Sequence, residues 1–173
     1  MAFILNTKTS TITSLLLVII IAIFSPLSYS GEAANNTQIE LDTLLAKHKG
    51  KVIYIDFWAS WCSPCRKSFP WMNKIQSSYN SDKFTVISIN LDNEKTLAET
   101  FLQTSPANFP VIYDPKGSLA KKFKIKGMPS SYLINQEGKI MKRHTGFFSA
   151  KITNYEQEIA QLIASSPNNL ATM

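Results

Sequence analysis

The sequence predicts an α/β domain in which helices cover both faces of a mixed central β-sheet. Three observations carry this expectation. Two β-branched and aromatic runs, Val52 to Phe57 and Phe84 to Ile89, each lead into a stretch of helical spacing. A hairpin pattern follows between Ser131 and Arg143, and a last amphipathic helix closes the domain. The order βαβα, hairpin, helix places a parallel pair and an antiparallel pair in one sheet.

Residues 1–30 read as a signal peptide or N-terminal membrane anchor, 31–38 as a linker, 39–164 as the folded domain and 165–173 as a flexible tail. In the leader Lys8 is the only charged side chain, and Leu15 to Phe24 is an unbroken apolar run. That run matches a signal-peptide core better than a membrane span of ~20 residues. Ser28-Tyr29-Ser30 supplies small residues before Gly31, so cleavage after Ser30 is expected. The uncharged stretch from Thr9 to Gly31 keeps an uncleaved anchor, and so membrane attachment by this segment, as the alternative.

Within the domain, Asp42 is placed to cap a short helix bearing Leu44 and Leu45. The strand Val52 to Phe57 runs straight into the cysteines. From Ser63 to Tyr79, the residues Phe69, Met72, Ile75 and Tyr79 share one helical face, with Pro70 as an expected kink. The spacing then predicts a helix over Lys95 to Gln103 with Leu97, Phe101 and Leu102 inward, an extended Phe109 to Tyr113 and a short helix over Ser118 to Phe123. The final helix, Ala150 to Ala164, presents Ile152, Tyr155, Ile159, Leu162 and Ile163.

The net charge of +6 is dispersed in single lysines and short pairs such as Lys121-Lys122 and Lys142-Arg143. Nucleic-acid binding would want a clustered basic face, so no nucleic-acid partner is expected. The chain has only 2 cysteines, Cys62 and Cys65. A bridge between them closes too short a loop to constrain the unfolded chain much, so their value lies in reactivity or metal binding. His48 and His144 stand alone and read as surface histidines, structural zinc would want a second paired ligand set, and Arg66 occupies the position where haem attachment needs histidine. No cofactor or metal is expected.

Cys62 lies at a strand-to-helix junction, where free N–H groups and the helix dipole favour a thiolate. Cys65 sits one helical turn on, within reach of a mixed disulfide at Cys62, and Pro64 fits a first turn that does not need its N–H. Asp56, between apolar Ile55 and Phe57, is expected to be buried below the cysteines with a raised pKa, fit to take the Cys65 proton. The alternative is a solvated carboxylate at a strand end.

The segment Tyr54-Ile55-Asp56-Phe57-Trp58-Ala59-Ser60-Trp61-Cys62-Ser63-Pro64-Cys65 resembles the thioredoxin active-site strand and loop, and Gly127-Met128-Pro129-Ser130-Ser131-Tyr132-Leu133-Ile134 resembles the family's proline loop. Between them, Asn90-Leu91-Asp92 and Asn108-Phe109-Pro110-Val111 are similar to the insertion of the exported TlpA- and ResA-like branch. The resemblance runs from about Ile39 to Ile163. It implies a thioredoxin fold with the TlpA-like insertion. It also implies that Cys62 and Cys65 form a redox-active disulfide, with Cys62 as nucleophile and Cys65 as resolving thiol. Pro129 would be a cis proline beside the sulfurs, and Met128 would bind an extended target by strand addition. Trp61, next to Cys62, is a better candidate than Trp58 to meet that target.

The implied protein is a periplasmic or cell-envelope thiol-disulfide oxidoreductase of the protein-disulfide reductase type. Its partners would be proteins carrying disulfides or thiols, and a membrane or envelope redox partner as electron donor. Many cytochrome-maturation members carry an acidic residue three positions after the second cysteine; this chain has Ser68. Ser63-Pro64 also lacks the histidine of oxidising relatives, which favours a reductant or moderate exchanger. A disulfide oxidant and a non-enzymatic Cu(I) carrier using the same thiols are the alternatives.

Overall fold

Strand β1 (Val52–Trp58) is buried along its whole length because it separates two hydrophobic cores. Val52, Tyr54 and Trp58 point into one core, Ile53, Ile55 and Phe57 into the other, as the period-two geometry of a strand requires. In a computed structural model, residues 32–79 and 81–165 are described. The predicted leader at residues 1–30 and all but the first residue of the predicted tail lie outside them.

The other elements are α1 (Glu32–Lys47), α2 (Ser63–Ser78), β2 (Phe84–Asn90), α3 (Lys95–Thr104), β3 (Val111–Tyr113), α4 (Ser118–Lys122), β4 (Ser130–Ile134), β5 (Ile140–Thr145) and α5 (Ile152–Ala164), the last entered by a 3-10 turn at Ser149–Lys151. The strands are ordered β3-β2-β1-β4-β5. β2 is parallel to both β1 and β3, while β4 is antiparallel to β1 and β5. The sheet is therefore mixed, as expected.

One core packs Phe69, Met72 and Ile75 of α2, Phe101 of α3 and Tyr155 and Ile159 of α5 against the sheet. The opposite core is closed by Leu41 of α1 and Leu119 of α4. An aromatic nest fills the first. Phe69 lies edge-on to Trp58 at 4.6 Å and to Phe101 at 4.9 Å, and meets Phe109 at 5.7 Å. Each such pair contributes about 0.5–1.5 kcal/mol beyond its area burial, and together they make a stiff floor for the helix that starts at the cysteines.

The structure departs from the sequence expectation in three places. Residues 32–38, expected to link, lie in the same helix as Asp42, which therefore sits inside α1 and caps nothing. Thr37, Leu41, Leu44 and Leu45 make a helical stripe against the sheet, and that tertiary burial overrides the polar composition of the preceding turn. Leu97 is exposed, because Ala98 and Phe101 take the inward face of α3. Helix α2 continues through Pro70 to Ser78.

Candidate active site

Cys62 is the N-cap of α2, with extended backbone at φ −80° and ψ 102°. Its carbonyl accepts from Arg66 N–H at 3.1 Å, and its Sγ accepts from Cys65 N–H at 3.3 Å. An N–H aimed at this sulfur, added to the helix dipole, favours negative charge on it. Pro64 falls in the first turn, where no intrahelical partner is lost. The two cysteines form a disulfide, with S–S 2.00 Å and Cα–Cα 5.2 Å. Cys65 is fully buried and Cys62 nearly so.

The loop that delivers Cys62 is held from a distant turn. Leu91 N–H donates to the Trp58 carbonyl at 2.8 Å, and Asp92 accepts from Ser60 through both its carboxylate oxygens. Asn90 Nδ2 completes the carboxylate at 2.7 Å and Asn90 Oδ1 accepts from Asp92 N–H. Sequence reading placed Asn90-Leu91-Asp92 in an insertion and gave it no role. Its signal was an Asn-x-Asp pair just past a buried strand, the composition of a side-chain-locked turn.

Asp56 is 1% exposed, and its Oδ2 has no hydrogen-bond partner. Burial pushes its pKa well above the usual carboxylate range. It projects from the same face of β1 as Tyr54 and Trp58, into the core that also contains Cys62 and Cys65. The solvated alternative is thereby excluded. Trp58 is fully buried, whereas Trp61 is 68% exposed beside Cys62.

The Met128-Pro129 peptide bond is cis, and Met128 packs against the cluster holding both cysteines. Pro129 carbonyl accepts from Gly146 N–H at 2.7 Å, and Ser130 Oγ donates to the Gly127 carbonyl at 2.7 Å, so the loop is clamped on both sides. Gly146 has φ +80°, and a Cβ there would meet the Phe148 ring at 3.1 Å, which makes glycine the fitting residue. No backbone hydrogen bond among the described residues engages Met128 N–H or C=O.

Ser68 is buried under Cys65, donating to its carbonyl at 2.8 Å. Arg66 lies over the Phe101 ring at 5.8 Å. The two histidines expected on the surface are half-buried. His48 has its pKa lowered by burial and by Lys51 and Lys47. His144 packs its ring on Tyr155 at 4.9 Å and places Nε2 2.9 Å from Glu158 Oε2.

This geometry can exchange disulfides: a sulfur at a helix N-terminus, a second sulfur one turn on and a buried carboxyl group in the same core. Known proteins resemble this chain. ResA, a thiol-disulfide oxidoreductase of Bacillus subtilis (strain 168), is 33% identical over 115 residues, covering 66% of this chain and 62% of ResA. Sporulation thiol-disulfide oxidoreductase A of the same organism is 32% identical over 116 residues, 65% of this chain and 70% of that protein. The crystal structure described as a thiol:disulfide interchange protein DsbE of Chlorobium tepidum superposes with TM-score 0.67 at 45% identity, covering 69% of this chain and 84% of that one. The chain thus spans less than two thirds of ResA's length and most of the solved domain. Its fold is thioredoxin-like, and with the Redoxin model matching residues 31–159 the chain belongs to the Redoxin family.

Proposed function

We propose that this protein is an exported thiol-disulfide oxidoreductase that reduces or exchanges disulfides of envelope proteins. The observation that carries the reading is the Cys62–Cys65 disulfide at the start of α2, with the buried Asp56 carboxyl group, its Oδ2 unpartnered, on the same side of the sheet. In the reducing direction, the Cys62 thiolate attacks a target disulfide and expels one target thiolate. Asp56 takes the proton of Cys65, whose thiolate attacks Cys62 Sγ, expels the second target thiolate and closes the disulfide. Two electrons pass from the dithiol to the target.

Exposed Trp61 meets the target beside Cys62, and the unengaged backbone of Met128 next to Pro129 offers an edge for an extended target strand. Export rests on the apolar run Leu15 to Phe24, cleaved after Ser30 or kept as an anchor. Among the described residues no helix is long and apolar enough to cross a membrane. An envelope or membrane protein supplies the electrons. Cytochrome c maturation stays one client pathway among several, because Ser68 holds the place of the acidic residue.

The test is insulin reduction by the wild type and by Cys62→Ser, with Cu(I) titration of both. The enzyme reading expects turnover only in the wild type. Equal turnover in both, with tight Cu(I) binding by the wild type, would replace it with the copper-carrier reading.

A further inference from the structure

A row of polar side chains crosses the hydrophobic sheet at right angles to its strands. Asp56 is the register partner of Ser88 on β2 and of Ser131 on β4, and Ser131 is the register partner of His144 on β5. Register partners project from the same face of a sheet. All four therefore lie on the face that carries the cysteine core, on which Tyr54, Val86 and Leu133 also lie. Ser88, Asp56 and Ser131 are buried. The row surfaces at His144 and Glu158, whose side chains are 19% and 24% exposed.

Two of the links are close, and Asp56 and Ser131 meet as cross-strand register partners. Ser131 Oγ lies 3.4 Å from His144 Nδ1, and His144 Nε2 lies 2.9 Å from Glu158 Oε2. That pair puts a carboxylate oxygen within reach of the Nε2 proton. The row thus joins two carboxyl groups, that of Asp56, whose buried Oδ2 is unpartnered, and that of Glu158, whose Oε2 pairs with His144. Buried Tyr54 interacts with Asp56, Ser131 and Glu158, so the two carboxyl groups share one electrostatic neighbourhood. Orphaned polar atoms in a core are costly and want a reason. Asp56 Oδ2 is such an atom.

We propose that Ser131, His144 and Glu158 form a relay that carries the resolving-step proton from Asp56 to solvent. The proposal rests on Asp56 acting as the base for Cys65. When Cys65 has given its proton to Asp56, Ser131 takes that proton and passes its own hydroxyl proton to His144 Nδ1. The Nε2 proton moves to Glu158 Oε2 and leaves from the partly exposed carboxyl group, so one proton enters and one departs. Run backwards, the same row delivers a proton when the disulfide is reduced. The groups facing the relay are Tyr54 and the two cysteines around Asp56, and Tyr155, Glu158 and Lys142, which is 3.8 Å from Glu158 Oε1, around His144. Ser131, His144 and Glu158 are positioning residues, since they act on the sulfurs only through Asp56.

The experiment is stopped-flow mixing of the reduced protein with dithiobis(nitrobenzoate). Its first absorbance phase reports attack by Cys62. Its second, independent of reagent concentration, reports resolution by Cys65. Asp56→Asn, Ser131→Ala and His144→Ala are each expected to slow the second phase about tenfold or more, a general acid–base effect, and to leave the first within about twofold. Added imidazole should restore the second phase of His144→Ala and not that of Asp56→Asn, a result that a merely structural histidine cannot give. If Asp56→Asn slows resolution while Ser131→Ala and His144→Ala do not, or if imidazole rescues nothing, the relay is wrong and the base assignment survives. If Asp56→Asn leaves the second phase unchanged, the base assignment fails, and the relay with it.

Discussion

Asp92 grips Ser60 twice: Oδ2 accepts from the backbone N–H and Oδ1 from the hydroxyl, each at 2.9 Å. The contact spans 32 residues and pins the loop that ends in Cys62. Asp92→Ala leaves Ser60 N–H and Oγ and Asn90 Nδ2 without their acceptor, at a cost of about 3 kcal/mol. We expect lower stability by chemical denaturation together with slower attack by Cys62, because the sulfur is no longer held over the N-terminus of α2. Normal stability with Asp92→Ala would mean that the loop holds itself.

Asp56 differs from the other two buried aspartates. Asp114 accepts from the N–H groups of Ser118, Leu119 and Ala120 and from Ser118 Oγ, and Asp92 is satisfied as above. Burial alone raises the Asp56 pKa, so the folded protein holds this proton more tightly than the unfolded chain does. Its contribution to stability is complete below the unfolded carboxylate value of ~3.9 and is lost as pH rises through the folded value. Asp56→Asn should therefore be more stable than the wild type at pH ~8, by roughly 1–3 kcal/mol. The gap should close as pH falls towards ~4. Denaturant titration of the oxidised proteins at the two pH values checks the sign.

The roles of the two sulfurs separate in single variants. Cys65→Ser should accumulate mixed disulfides with insulin through Cys62, visible as adducts on non-reducing gels and by mass. Cys62→Ser should give none, since Cys65 is fully buried. Adducts in both variants would contradict the division of labour.

Trp61 exposes 68% of its surface beside a nearly buried sulfur. Trp61→Ala should leave stability within about 0.5 kcal/mol, as surface substitutions do. It should raise the KM for insulin about tenfold, the loss of one aromatic anchor. A change in kcat alone would assign the ring to the chemistry instead of docking.

The parts of the site that could be read in the sequence are those encoded locally. Cys62 at a strand-to-helix junction, Pro64 in a first turn and Asp56 flanked by apolar residues all follow from spacing over a few positions. The proline loop was visible as a contiguous motif. What escaped depends on pairing across long separations. Asp92 reaches Ser60 over a distant turn, and His144 reads as a lone hairpin residue until the register sets it against Ser131. That register includes an irregularity between Leu133 and Ile134, which shifts the pairing that hairpin counting alone would give. The start of α1 was hidden because Asn35-Asn36-Thr37 looks like a linker, and the burial of Thr37 and Leu41 further along the same helix is what the sequence does not announce.

The reduction potential of the Cys62–Cys65 pair tests the central claim most directly, by equilibration against glutathione or dithiothreitol couples. A reductant with Ser63-Pro64 between its sulfurs should lie near ~−270 mV, in the thioredoxin range. A value near ~−120 mV would mark a strong disulfide oxidant and contradict the direction assigned here.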